Sequence, residues 1–155
     1  MIFVAGKSAS GVPVVQSGTQ STVRGDLWEQ ALPGFFSVDG KTFYANVDGE
    51  LQSGWVRIGD SFHFFDSDYV MQTGWYWGGS SWYWLDSDGS MATGWRSISG
   101  SWYFFDDSGA MATGWKKCGE AWYFFNDSGS MCTGWLSWGG AWYYLDSSGA
   151  MQTGW

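Results

Sequence analysis

Residues 95–115 read WRSISGSWYFFDDSGAMATGW, and at both ends the Trp follows a Gly. The Gly-Trp pair recurs at 54–55, 74–75, 94–95, 114–115, 134–135 and 154–155, a period of 20 residues without exception. A fixed period of this length marks a repeat architecture, in which each copy buries its apolar face only against its neighbours. Counting each copy from its Trp as zero, position +7 holds Phe62, Trp82, Trp102, Trp122 and Trp142. Position +8 holds His63, Tyr83, Tyr103, Tyr123 and Tyr143, and position +9 holds Phe64, Trp84, Phe104, Phe124 and Tyr144. Position +10 is Phe or Leu, followed by a polar tetrapeptide such as Asp86-Ser87-Asp88-Gly89. Met71, Met91, Met111, Met131 and Met151 stand at +16, and Thr stands at +18. The frame extends back weakly, with Phe35, Phe43-Tyr44, Asp48-Gly49 and Leu51 filling a degenerate first copy at 35–54. Clear copies occupy 55–74, 75–94, 95–114, 115–134 and 135–155.

Residues 1–34 stand outside this frame and read as a linker or the remnant of an upstream region. Residues 26–32 within them suit one short helical turn, ended by Pro33. Arg24-Gly25-Asp26 is a tripeptide that is common by chance. Residues 1–15 have no basic region ahead of an apolar run, so they do not read as a secretory leader.

Each copy reads as a β-hairpin. WYWL and WYFF are runs of strand formers. The tetrapeptide ending in Gly supplies a turn, with Asp and Ser accepting local backbone bonds and Gly taking positive φ. The return strand is expected from +15 to the next Trp, pairing +10 with +15, +9 with +16 and +7 with +18. Alternation then puts +7, +9, Met and Thr on one face, and +8 and +10 on the other. Tyr69 stands where the later copies have turn Gly. A bulky residue at positive φ costs on the order of 1 kcal/mol, so a distorted turn is expected there. The prediction is an all-β solenoid of stacked β-hairpins across 35–155.

Composition narrows the partners. Trp 14, Phe 11 and Tyr 8 make 21% of the chain aromatic, which excludes intrinsic disorder. No window holds enough uninterrupted apolar residues for a helical span, so membrane insertion is not expected. Seven Lys and Arg against 15 Asp and Glu give a net charge of −8. An acidic chain lacks the basic groove that must accompany stacking rings in a nucleic-acid binder, and it suits a neutral or cationic partner.

Catalysis is not expected. His63 is the single imidazole and occupies a Tyr slot, so it reads as a Tyr substitute. No nucleophile and orienting acid are marked for it. The pairs Asp66/Asp68, Asp86/Asp88 and Asp106/Asp107 recur turn after turn, which argues for turn chemistry rather than glycosidase carboxylates. The DSDG run lacks the bidentate Glu of a calcium loop. Cys118 and Cys132 are too few for a zinc site or a disulfide framework, and Cys118 fills a mostly apolar slot. No metal and no cofactor are implied.

The rings themselves carry the functional signal. Each copy gathers two Trp, another aromatic and a Met on one face. Convergent rings form an electron-rich box for a quaternary ammonium or a stacking face for a sugar, with Met as a polarizable floor. Trp102 is expected to serve as core and wall together. The competing reading is a structural stalk whose rings are only core.

The pattern running from TGW through WYFF-D-x-S-G-x-M to the next TGW resembles the choline-binding repeat, also called the cell-wall-binding repeat. The likeness covers 55–155 well and 35–54 poorly. Similar repeats occur in the glucan-binding regions of glucansucrases and the carbohydrate-binding tails of clostridial toxins. The resemblance implies a left-handed superhelix of hairpins with ligand sites between neighbouring repeats. It implies choline or phosphocholine of teichoic acids as partner, with a cell-surface glycan as the alternative. It also implies a non-catalytic, extracellular, wall-associated module, of a kind found fused to wall hydrolases. Carried over by position, the walls are Trp75, Trp95, Trp115 and Trp135 with Trp82, Trp102, Trp122 and Trp142. Phe104, Phe124 and Tyr144 of the following repeat close the box, floored by Met111, Met131 and Met151. Phe62 replaces Trp in the first clear copy. The paired Trp and the Met favour choline over glucan.

Overall fold

The computed structural model describes residues 3–7, 13–17 and 32–154. The helical turn expected from Asp26 and the Arg24-Gly25-Asp26 tripeptide lie outside the described residues. Those described form strands and no helix. Strand β1 (Phe3–Lys7) pairs antiparallel with β2 (Pro13–Ser17). Each copy of the repeat then contributes one two-stranded sheet. These are β3 (Gly34–Val38) with β4 (Lys41–Ala45), β5 (Gly54–Ile58) with β6 (Ser61–Phe65), and β7 (Gly74–Trp77) with β8 (Trp82–Leu85). Next come β9 (Gly94–Ile98) with β10 (Ser101–Phe105), β11 (Gly114–Cys118) with β12 (Ala121–Phe125), and β13 (Gly134–Trp138) with β14 (Ala141–Leu145).

The hairpins are there, but their partners differ from the sequence expectation. The WYFF strand pairs with the Gly-Trp strand before it, not with the segment after it. Gly94 faces Phe105, Trp95 faces Phe104, Ser97 faces Trp102 and Ile98 faces Ser101. The connection is two residues long, and Ser99 and Gly100 both take positive φ, 52° and 86°. A turn with both central residues in that region matches the right-handed twist of its flanking strands. Across the copies these two slots read DG, GD, SG, GE and GG, with a longer loop after Trp77, so no fixed dipeptide announces the turn.

The polar tetrapeptide makes a second, separate turn. Asp106 Oδ1 accepts the N–H groups of Ser108 at 2.9 Å and Ala110 at 3.0 Å. Beyond it the chain meets its hairpin at one bridge, Phe105 to Met111. The Met therefore lies opposite +10 and packs with it, not on the +9 face. Tyr69 keeps the same turn undistorted at φ 67°, with Asp66 Oδ1 accepting the N–H groups of Asp68 and Val70 at 2.8 and 2.9 Å. The side-chain carboxylate fixes the turn, and the backbone strain stays in one residue.

The Met N–H points away from its own hairpin, toward the preceding copy. Met71 donates to Thr42 O, Met91 to Phe62 O, Met131 to Trp102 O and Met151 to Trp122 O, each at 2.8 Å. Met111 donates to Trp82 O at 2.9 Å. Each of the five clear copies is thus tied to the +7 carbonyl one copy back. The turn Gly of the next copy then lies on the Met: a Cβ at Gly129 would collide with the sulfur of Met111.

The chain divides into two compact units, residues 1–74 with 85–91 and residues 75–84 with 92–155. The largest fully buried side chains are those at +10: Phe65 and Leu85 in the first unit, Phe105, Phe125 and Leu145 in the second. Phe65, Phe105, Phe125 and Leu145 each face a Gly across the hairpin, which leaves room for the ring or branch. In the second unit Ala92, Ile98 and Phe105 pack with Trp84, Tyr103 and Met111. In the first, Ala45 packs with Phe36 and Leu51. Cys118 and Cys132 are free and half-buried, and burial pushes both thiols above their ordinary pKa. No helix of the described residues is long and apolar enough to cross a membrane.

Candidate functional site

Position zero and position +7 sit on one face of each hairpin, two rungs apart. In the second unit this brings Trp75 and Trp82 together with centroids 6.2 Å apart and planes at 86°. Tyr103, at +8 of the following copy, meets Trp75 at 5.0 Å and 70°. Three rings set nearly at right angles form the corner of a box. The same corner recurs one copy later. Trp95 meets Trp102 at 6.3 Å and 78°, and Tyr123 at 4.8 Å and 71°.

Each corner opens into a cavity. The first holds about 360 Å³ and is lined by Trp75, Trp82, Tyr103 and Met111, with Asp127 and Ser128 at its lip. The second holds about 330 Å³ and is lined by Trp95, Trp102, Tyr123 and Met131, with Ser147 and Ser148 at its lip. Walls, floor and lip come from three successive copies. The Trp pair belongs to the first, the Tyr and Met to the second, and the tetrapeptide to the third. A cavity of this size with apolar walls and a few polar groups is the usual form of a small-molecule site.

The Trp and Met residues expected here, Trp75, Trp82, Met111, Trp95, Trp102 and Met131, do line the two cavities. The closing ring differs from expectation. It is the +8 Tyr, not the +9 ring. Phe104 lies opposite Trp95 within its own hairpin, edge-on at 5.3 Å, and the Lys116 ammonium sits over it at 5.9 Å. Phe124 packs on Trp115 at 5.2 Å and Tyr144 on Trp135 at 5.1 Å in the same manner. The +9 residue is bound to the zero ring across one ladder, so it cannot also serve the neighbouring copy. Tyr103 and Tyr123 come from the opposite face of the next hairpin, which stacking turns toward the first. Their constancy at +8 was the visible signal.

Trp115 repeats part of the arrangement, with Tyr143 at 4.9 Å, but its perpendicular neighbour is Trp138, at 6.2 Å and 88°. Trp122 is exposed, and its carbonyl accepts the Met151 N–H at 2.8 Å. Trp135 and Trp142 are the most exposed of the expected ring residues. The +7 rings are not the core. Trp82 is 41% and Trp102 47% exposed, while the +10 side chains beside them are sealed. Trp102 therefore does not fill the core part of the double role expected of it.

No curated protein matches this chain. Solved structures do. Choline binding protein F of Streptococcus pneumoniae, in the presence of a peptidoglycan analogue, is 36% identical over 79% of this chain and 42% of its own, with a TM-score of 0.76. CbpJ of the same species is 35% identical over 97% and 51%, with a TM-score of 0.80. The pneumococcal cell wall endolysin of phage Cp-1, complexed with choline, is 31% identical over 83% and 40%, with a TM-score of 0.56. The chain spans about half the length of these proteins or less. A cell wall binding repeat matches residues 53–68, and the choline-binding repeat matches 72–113 and 112–154. With more than half of its length matched, and with hairpins of the same kind, the chain belongs to the choline-binding repeat family.

Proposed function

We propose that the two boxes of the second unit hold quaternary ammonium groups, and that the chain anchors a protein to a bacterial surface through the choline of teichoic acids. The observation that carries this reading is the exposure of Trp82 and Trp102 beside a core that does not need them. A large apolar ring left in water within a three-ring corner has a ligand as its reason. Choline has no N–H to donate and carries its charge on methyl groups, so π-faces suit it where hydrogen bonds do not. Three contacts of about 0.5–2 kcal/mol each correspond to roughly millimolar affinity per box. Asp127 at the lip of the Trp75 box adds attraction for a cation that Ser147 does not supply to the Trp95 box.

The test separates the two candidate closing rings. Tyr103→Ala removes one wall of the Trp75 box and lowers its choline affinity by roughly 2- to 30-fold, the value of one cation–π contact. Phe104→Ala leaves choline affinity unchanged while lowering the melting temperature. Indole fluorescence and NMR during choline titration of each variant give the result. Loss of binding in Phe104→Ala with Tyr103→Ala unaffected overturns the assignment. An intact protein whose indoles do not respond to choline overturns the function.

A further inference from the structure

The first unit contains a cavity at the equivalent place, with different chemistry. Phe35 stands where the boxes have the zero Trp, Thr42 replaces the +7 Trp, and His63 replaces the +8 Tyr; all three line it. Met71 and Ile58 supply apolar surface, while Ser61, Asp88 and Ser90 complete the lining. At about 460 Å³ it is wider than either box. Two of three benzenoid or indole walls are gone, so a quaternary ammonium finds one phenyl face and much unfilled space. In their place are three hydroxyls, a carboxylate and an imidazole. His63 is only 6% exposed, and its Nδ1 is buried without a hydrogen-bond partner. Native structures rarely leave such an atom unpaired. The Phe35 ring is 48% exposed and meets the imidazole at 5.4 Å, so one open aromatic face borders the cluster of polar groups.

We propose that this cavity is a saccharide site, distinct in ligand class from the boxes of the second unit. A pyranose has an apolar C–H face to lie on Phe35. Its hydroxyls both donate and accept, so they match the Asp88 carboxylate, the Thr42, Ser61 and Ser90 hydroxyls, and the unpaired His63 nitrogen in either tautomer. The Asp88 carboxylate is held in place by its own turn, where Oδ1 accepts the Ser90 N–H at 2.9 Å.

His63 is the single histidine of the chain, so its imidazole NMR signals report this cavity without ambiguity. The full chain is titrated with choline, with chitotriose and with isomaltotriose, the two sugars distinguishing an amino-sugar glycan from a glucan. The expected result is a saturable shift of the imidazole signals with one of the sugars, weakened at least tenfold in Phe35→Ala and in Asp88→Asn. Choline moves the indole signals of the second unit and leaves the imidazole in place. Unchanged indole shifts with choline in both variants show that they are folded. A saturable imidazole shift with choline makes the cavity an ammonium site and overturns the proposal. So does an imidazole that neither sugar moves, even where the indoles respond to choline. Silent indoles overturn the ammonium boxes and leave the imidazole result to be judged on its own.

Discussion

His63 occupies a slot that holds Tyr in the other clear copies, and the exchange introduces a titration near neutral pH. Burial holds its pKa below the ordinary 6.5; the Asp88 charge and the backbone of Ser61 and Asp88 oppose this without cancelling it. The unfolded chain then takes up a proton that the folded chain resists. Stability is complete above about pH 6.5 and is lost as the pH falls from there toward the folded value. The carboxylates act in a different window. Burial pushes Asp106 up, but hydrogen bonds from Ser108 and Ala110 outweigh it, and the hydroxyl of Ser148 holds Asp146 down. Their contributions are present above the ordinary 3.8 and fade only below it. The expected outcome is a melting temperature that falls between pH 7.5 and 5 in the native chain and stays level in His63→Tyr. An equal slope in the variant places the acid sensitivity in another group.

The tetrapeptide turn shows how one element ties two copies together. At Gly129 φ is 85°, and the Met111 sulfur occupies the space of a Cβ. Gly119 also has positive φ, 65°, but open space beside it. Gly119→Ala therefore costs only left-handed strain, about 1–2 kcal/mol. Gly129→Ala adds overpacking against Met111, for about 2–5 kcal/mol in all. Urea midpoints of the two variants measure the difference, and equal losses would show that the Met contact carries nothing. The constant Gly, Met and WYFF slots made the repeat and the strand runs legible in the sequence. The pairing was not legible, because the slots that close the hairpin change from copy to copy while the conspicuous DSSG-type turn closes something else. The Trp and Met of the boxes were legible for the same reason as the repeat. The Tyr wall was missed because alternation within one hairpin puts +8 on the far face, and only stacking brings that face to the neighbouring Trp pair.

On the function proposed above, retention rests on two weak boxes carried by the second unit. Where a polymer offers many choline groups in series, binding at one box raises the effective concentration at the next, and retention can exceed that of a single site by about 10²–10⁴-fold. Trp82→Ala and Trp102→Ala each remove a wall from one box. Both rings are substantially exposed, so each loss of stability should stay below the roughly 3–5 kcal/mol typical of a buried Trp. Retention on choline-bearing walls is expected to fall in part for each single variant and nearly to vanish for the double, with similar melting curves. Near-total loss in one single variant would instead identify one dominant site. The Met N–H bonds have a further consequence, for the order in which the structure is made. Met131 is tied to Trp102 and Met151 to Trp122, so each tie closes on a copy synthesised just before. Topologies built from contacts near in sequence fold quickly, since little chain entropy is lost before a contact forms. As the polypeptide emerges, each new copy finds its docking edge already waiting, and assembly within a unit runs in the direction of synthesis.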